Sequence, residues 1–111
     1  QNTNLSSKTL KKALAYIDEH YTSENLSLGT VACEVQVGAN YLSSVFSQNM
    51  QKTFTEYISE KRMEKAKKLL KSTELPTSEI AAQVGYKDPH YFSFVFKKTQ
   101  GCSPREYRSS I

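Results

Sequence analysis

Asn40, Ser43, Ser44 and Ser47 recur at steps of three and four residues, so a helix through them carries one amide and three hydroxyls along a single face. Fifty residues later His90, Ser93, Phe94 and Lys97 repeat that spacing. The chemistry available to such faces is recognition. An Asn amide can pair bidentately with the N6 and N7 edge of adenine, Ser can meet several base edges, and an outward Phe can touch a thymine methyl; each good bidentate pair gives ~1–3 kcal/mol of discrimination. A solvated polar face is the alternative for the first set, and packing on a neighbouring domain the alternative for Phe94. His90 reads as a surface or phosphate contact, whereas His20 is expected simply to pack beside Tyr21.

Groups for bond-making are not arranged in this way. The sequence holds no glycine-rich phosphate loop, no paired acids in an evident cleft, and no Cys or Ser set with a His in a known catalytic arrangement. Cys33 and Cys102 stand far apart without Cys or His at metal-ligand spacing, which supports neither a zinc site nor a disulfide framework and fits a reducing cytosol. No enzyme, metal or cofactor is expected, and no stretch has the apolar length of a signal peptide or membrane helix.

The elements that must position these faces are helices, and the expected class is all-α. Leu10, Ala13, Leu14, Ile17 and Tyr21 mark a first amphipathic helix. Ser27 should cap a short second one carrying Val31, Ala32 and Val35. A third follows Gly38 and turns Leu42, Val45, Phe46 and Met50 inward, leaving Ala39, Asn40, Ser43, Ser44 and Ser47 outward with Gln48 to one side. Thr53 and Glu56 form a capping box for a long fourth helix through about Lys71, which Leu75, Pro76 and Thr77 break. The fifth carries Ile80, Ala81 and Val84 and stops at Gly85. Asp88 followed by Pro89 opens the sixth, expected to bury Phe92, Val95, Phe96 and Thr99; Ser103, Pro104 and Glu106 open a short seventh.

Sliding the chain by fifty residues lays Tyr41, Leu42, Ser43, Val45 and Phe46 over Tyr91, Phe92, Ser93, Val95 and Phe96, and Glu56 and Tyr57 over Glu106 and Tyr107. The chain is an internal duplication. Each copy is led by a short helix with a small inward residue, Ala32 or Ala81, followed about ten positions later by the next helix's first buried residue. That is the helix-turn-helix layout, in which two helices crossing at close range leave no room for a larger side chain. Gly85 fits the turn position that favours a left-handed backbone. Gln36 occupies that place in the first copy, with Gly38 two residues on, so the first turn is less defined. The expected division is 1–52 for the first helix-turn-helix subdomain, 53–73 for a linker helix and 74–111 for the second subdomain.

The formal net charge of +4 is lopsided, with twelve bases against seven acids in residues 51–111. A basic second half suits a polyanion partner without proving one. At 111 residues the chain lacks room for a sensing or catalytic domain besides this one, and a start at Gln1 suggests the output end of a longer polypeptide.

The segment Ile80-Ala81-x-x-Val84-Gly85-Tyr86-x-Asp88-Pro89-x-Tyr91-Phe92-Ser93-x-Val95-Phe96-Lys97-Lys98, closed by Gly101-x-Ser103-Pro104-x-x-Tyr107-Arg108, resembles the signature of the AraC/XylS family of bacterial transcription regulators. Arg62-Met63-x-x-Ala66-x-x-Leu69-Leu70 resembles that family's linker helix. The resemblance spans about Leu10 to Tyr107 and implies seven helices in two subdomains, with a recognition helix from each in adjacent major-groove segments on one face of double-stranded DNA. Two positions depart from the family pattern: Phe94 stands where a basic residue is common, and Gln51 where a Gly is.

On this reading Ala39, Asn40, Ser43, Ser44, Ser47, His90, Ser93 and Phe94 face bases. Ser27, Gln48, Lys52, Thr77, Lys87, Tyr91, Lys97 and Lys98 face phosphates, with the free amides of capped helix starts at Ser27 and Thr77 contributing. Arg105 and Arg108 are further phosphate candidates. Ala32, Arg62, Ala81, Gly85 and Pro104 are structural, Arg62 because it sits inside the apolar stripe of its helix and needs carbonyls or an acid between the subdomains, with direct phosphate contact the alternative. RNA polymerase is a candidate second partner. The isolated domain is expected to be a monomer, and a dimer is the candidate state of the full-length protein. A helical protein-interaction module and a nonspecific nucleic-acid binder are the competing functions.

Overall fold

The computed structural model describes residues 2–110, with side chains from residue 6 onward. These residues form seven α-helices: α1 (Asn2–His20), α2 (Leu28–Glu34), α3 (Ala39–Met50), α4 (Phe54–Ser72), α5 (Thr77–Val84), α6 (Pro89–Gln100) and α7 (Pro104–Ser109). No strand occurs among them. No helix is long and apolar enough to cross a membrane.

The chain divides into two compact units. The first comprises residues up to Tyr21 and Asn25–Ile58; the second comprises Thr22–Glu24 and the residues from Ser59 onward. The helix expected as a separate linker is thus shared, with its first turn in one unit and the remainder in the other. In unit one, α1 packs on α2 and α3 around Ala13, Ile17, Val31, Ala32, Leu42, Phe46, Phe54 and Ile58. The core of unit two is built from Met63, Ala66 and Leu70 of α4, Ile80, Ala81 and Val84 of α5, Tyr86, and Phe92, Val95 and Phe96 of α6.

The duplication extends to packing. Residues 41–50 and 91–100 pass through buried, half-buried and exposed positions in the same order at every step. Their helices end alike, with Gln51 and Gly101 in the left-handed region at φ 58° and 85° and their amides donating to Ser47 and Lys97. The following caps also match: the Thr53 amide donates to Glu56 Oε1 at 2.8 Å, as the Ser103 amide does to Glu106 Oε1 at 2.8 Å.

Three local expectations are corrected. Thr77 does not cap α5. The N-cap is Pro76, held extended at φ −60°, ψ 152° with no side-chain cap. Its carbonyl accepts from the Glu79 and Ile80 amides, so Thr77 falls inside the helix. Thr99 is exposed instead of buried, because its hydroxyl donates to the Val95 carbonyl one turn back at 2.8 Å and holds the side chain along its own helix. His20 stacks on Tyr16, at 4.1 Å between ring centroids, with Nδ1 2.9 Å from the Tyr16 carbonyl; the i, i+4 relation puts those rings on one face.

Candidate nucleic-acid interface

Each unit presents one helix through a turn of the same construction. Between α2 and α3 the Val37 amide donates to the Ala32 carbonyl at 3.0 Å and the Gln36 amide to Cys33 at 3.1 Å. Between α5 and α6 the Tyr86 amide donates to Ala81 at 2.9 Å and the Gly85 amide to Ala82 at 3.2 Å. Paired bonds of this kind, closing the helix end over a left-handed residue, are the Schellman arrangement. Gly85 takes φ 111° and Gln36 takes φ 63°. The first turn is therefore as defined as the second, with Gln accepting a backbone that Gly adopts without steric cost. Ala32 and Ala81 are both buried where the paired helices meet.

On α3, Ala39, Asn40, Ser44 and Ser47 are exposed together and Ser43 is half-buried beside them, while Gln48 is exposed at the edge. On α6, His90, Phe94, Lys97 and Lys98 are exposed and Ser93 is half-buried. The structure thus brings together the side chains proposed as base readers within each unit. It adds Tyr41, 40% exposed on the same face as its equivalent Tyr91, which is 55% exposed; the fifty-residue offset was the signal for it. Neither α3 nor α6 contains an Asp or Glu, whereas α2, α4, α5 and α7 each carry at least one. Repulsion of a polyanion from these two faces is correspondingly small.

The helix starts differ in how their amides are used. Asp88 Oδ1 accepts from the His90 amide at 2.9 Å and Pro89 takes the first helical position, whereas Gly38 opens α3 without a side-chain cap. Ser27 Oγ accepts from the Thr30 amide at 3.1 Å in a capping box with Thr30, so its hydroxyl is already engaged. Thr77 and Lys52 are half-buried and Lys87 is exposed. Arg108, a candidate for phosphate, is tied down elsewhere: Nε donates to Leu70 O at 3.0 Å and Nη2 to Thr73 O at 3.1 Å, closing the carbonyl end of α4.

Arg62 is 9% exposed. Its Nη2 donates to the Ser23 carbonyl at 2.9 Å and its guanidinium lies 5.0 Å from the Tyr86 ring centroid. A methyl built on Gly85 would fall 2.8 Å from Arg62 Nε. The arginine therefore braces the second turn from beneath and fastens the Thr22–Glu24 segment in the same unit. Pro104 is buried at the first position of α7, behind the Ser103–Glu106 box. Glu106 has its carboxyl held below the usual carboxylate range, chiefly by the hydrogen bond from the Ser103 amide and then by the Ser103 hydroxyl, with Lys97 adding attraction. Among the described residues no group of His, Cys, Asp and Glu could hold a metal ion.

Comparison with known proteins agrees with this geometry. A profile of the helix-turn-helix domain matches residues 31–110. The arabinose operon regulatory protein of Escherichia coli (strain K12) is 34% identical over 100 residues, 90% of this chain and 34% of its own length. Among solved structures, the C-terminal domain of AraT, a response regulator from Geobacillus stearothermophilus, is 44% identical with a TM-score of 0.88, covering 90% of this chain and 83% of that one. The C-terminal domain of the two-component response regulator yesN from Fusobacterium nucleatum is 38% identical with a TM-score of 0.89, covering 92% and 99%. The chain spans about a third or less of the length of the curated relatives it matches. With its duplicated turn, its seven helices and these relatives, this chain belongs to the AraC-type helix-turn-helix family.

Proposed function

We propose that this chain binds double-stranded DNA sequence-specifically as the output domain of a larger bacterial transcription regulator. The observation that carries the reading is the pair α3 and α6: two helices in equivalent settings, with matching burial and outward faces free of carboxylates. Asn40, Ser43, Ser44 and Ser47 would read one major-groove segment, with Ala39 allowing close approach, and His90, Ser93 and Phe94 would read a second about one turn, ~10 bp, away. Gln48, Lys52, Lys87, Tyr91, Lys97 and Lys98 would hold phosphates and set register without specifying sequence. The Ser27 and Thr77 helix starts are weaker members of that set, since one hydroxyl is engaged and the other residue does not cap.

The role is binding rather than catalysis, in the cytoplasm and with the isolated domain a monomer. RNA polymerase is the proposed second partner once the domain sits near a promoter. The relatives' names, an operon regulatory protein and two response regulators, support the reading.

Selection of bound sequences from a random duplex pool tests it, repeated with Asn40→Ala and Ser93→Ala. Two enriched blocks about one turn apart, each relaxed by one substitution, are expected. Binding without enrichment that vanishes at moderate salt would point to phosphate contacts alone, and hence to a nonspecific binder. No binding at all would favour a protein-interaction module.

A further inference from the structure

Phe94 is 60% exposed, the largest exposure of any big apolar side chain among the described residues. The duplication supplies an internal control for it. Its equivalent is Ser44, which is also exposed, and the flanking positions are buried alike in both copies. Packing of the unit therefore asks for no aromatic at this place. The ring is nonetheless held: it stacks on Tyr91 at 6.3 Å and 28°, and Lys98 Nζ lies 5.8 Å from its centroid. Beside it opens a concavity of about 430 Å³ lined by His90, Ser93, Phe94, Lys97, Lys98 and Ser103.

The rim decides which partner fits. Two lysines border the apolar floor, and the nearby carboxylates are turned to helix caps, Asp88 to the His90 amide and Glu106 to the Ser103 amide. An apolar spot inside a cationic rim matches a partner that offers methyl groups within a field of phosphates. Among the bases only thymine carries a methyl in the major groove, at C5. Resting on the DNA-binding reading above, we infer that Phe94 is a specificity-determining residue that recognises thymine by apolar contact with its 5-methyl group. The two copies then differ in chemistry: the α3 segment is read by hydrogen bonding, and the α6 segment adds a methyl contact to the polar contacts of His90 and Ser93.

The test uses the operator recovered by selection. Every thymine on both strands is replaced singly by deoxyuridine, which removes the methyl and leaves the pairing edge intact. Affinity is measured for the wild-type chain, Phe94→Ala and Phe94→Leu. Removing one contacted methyl should weaken wild-type binding about fourfold, the equivalent of one buried methylene. Phe94→Ala should bind the thymine and uracil forms equally, and Phe94→Leu should keep part of the preference. As Phe94 is exposed, matching helical spectra and melting of the variants show that folding is intact. Indifference of the wild type to uracil everywhere, or a uracil effect that persists in Phe94→Ala, overturns the inference while leaving sequence-specific binding standing. A pool that yields no enriched sequence overturns both; if Phe94→Ala then also abolishes capture of a protein partner, the patch is a protein contact.

Discussion

Replacing Gly85 with alanine should be the most costly single-methyl change in the second unit. Two terms add. At φ 111° an L side chain is disfavoured by ~1–2 kcal/mol, and alanine's lower unfolded-chain entropy returns ~0.4–1 of that. The new methyl also lies 2.8 Å from Arg62 Nε, 3.0 Å from Cζ and 3.1 Å from Nη2. The guanidinium must move, which threatens its bond to Ser23 O; a hydrogen bond from a charged donor contributes ~1.5–3 kcal/mol. The expected loss is about 2–4 kcal/mol, read by urea denaturation. Gly101→Ala is the control, since its φ is 85° and nothing lies within 4 Å of the added methyl; it should cost no more than about 1 kcal/mol. In an Arg62→Ala background the Gly85→Ala penalty should fall to the Gly101→Ala level, giving a coupling of about 1.5–3 kcal/mol. Equal penalties at the two glycines, or a Gly85→Ala penalty unchanged without Arg62, would refute the brace.

Other consequences follow from the same structure. Gln36→Gly and Gln51→Gly should each stabilise by about 0.5–1 kcal/mol, because a left-handed backbone strains Gln by more than the entropy that Gly adds to the unfolded chain; a fall in melting temperature for both would count against this. Thr53→Ala and Ser103→Ala should each lose ~1 kcal/mol, measured by chemical denaturation, through their caps. Because the Glu106 carboxyl is held below its usual range, its contribution is present above the unfolded carboxylate pKa and is lost as pH falls through the folded value. A carboxyl titration by NMR should show a depressed midpoint that returns toward normal in Ser103→Ala. On the selected operator, Asn40→Ala should cost ~1–3 kcal/mol and relax preference in one block, while Lys97→Ala should weaken all sequences similarly and lower the salt slope by about one.

Much of this fold could be read from residue order because its punctuation is local. Ser27, Thr53, Asp88 and Ser103 each open a helix by bonding amides two or three residues away, and the apolar spacing of Leu42, Val45 and Phe46 marks the inward face of α3 without reference to distant parts. Thr77 misled because Thr is a common cap, whereas Pro76 set the backbone first. Thr99 fell in step with the apolar stripe, but its hydroxyl found the carbonyl one turn back. Gln36 could not be placed from type alone, since nothing in a Gln announces a left-handed turn; only the parallel with Gly85 does. The candidate faces on α3 and α6 were legible as the complement of the buried stripe. That Arg62 needs a carbonyl was legible from its place in the apolar stripe, but which carbonyls Arg62 and Arg108 hold was not, because those partners lie 35 to 39 residues away in sequence.

Matching burial along α3 and α6 has a consequence for how such a domain can change. Two interiors under the same constraint leave two exteriors free to drift separately, so a substitution at position 44 need not be answered at position 94. The outward residues behave like interchangeable type in a common frame. Transplanting His90, Ser93, Phe94 and Lys97 onto positions 40, 43, 44 and 47 should yield a folded chain, and specificity could then be edited one helix at a time.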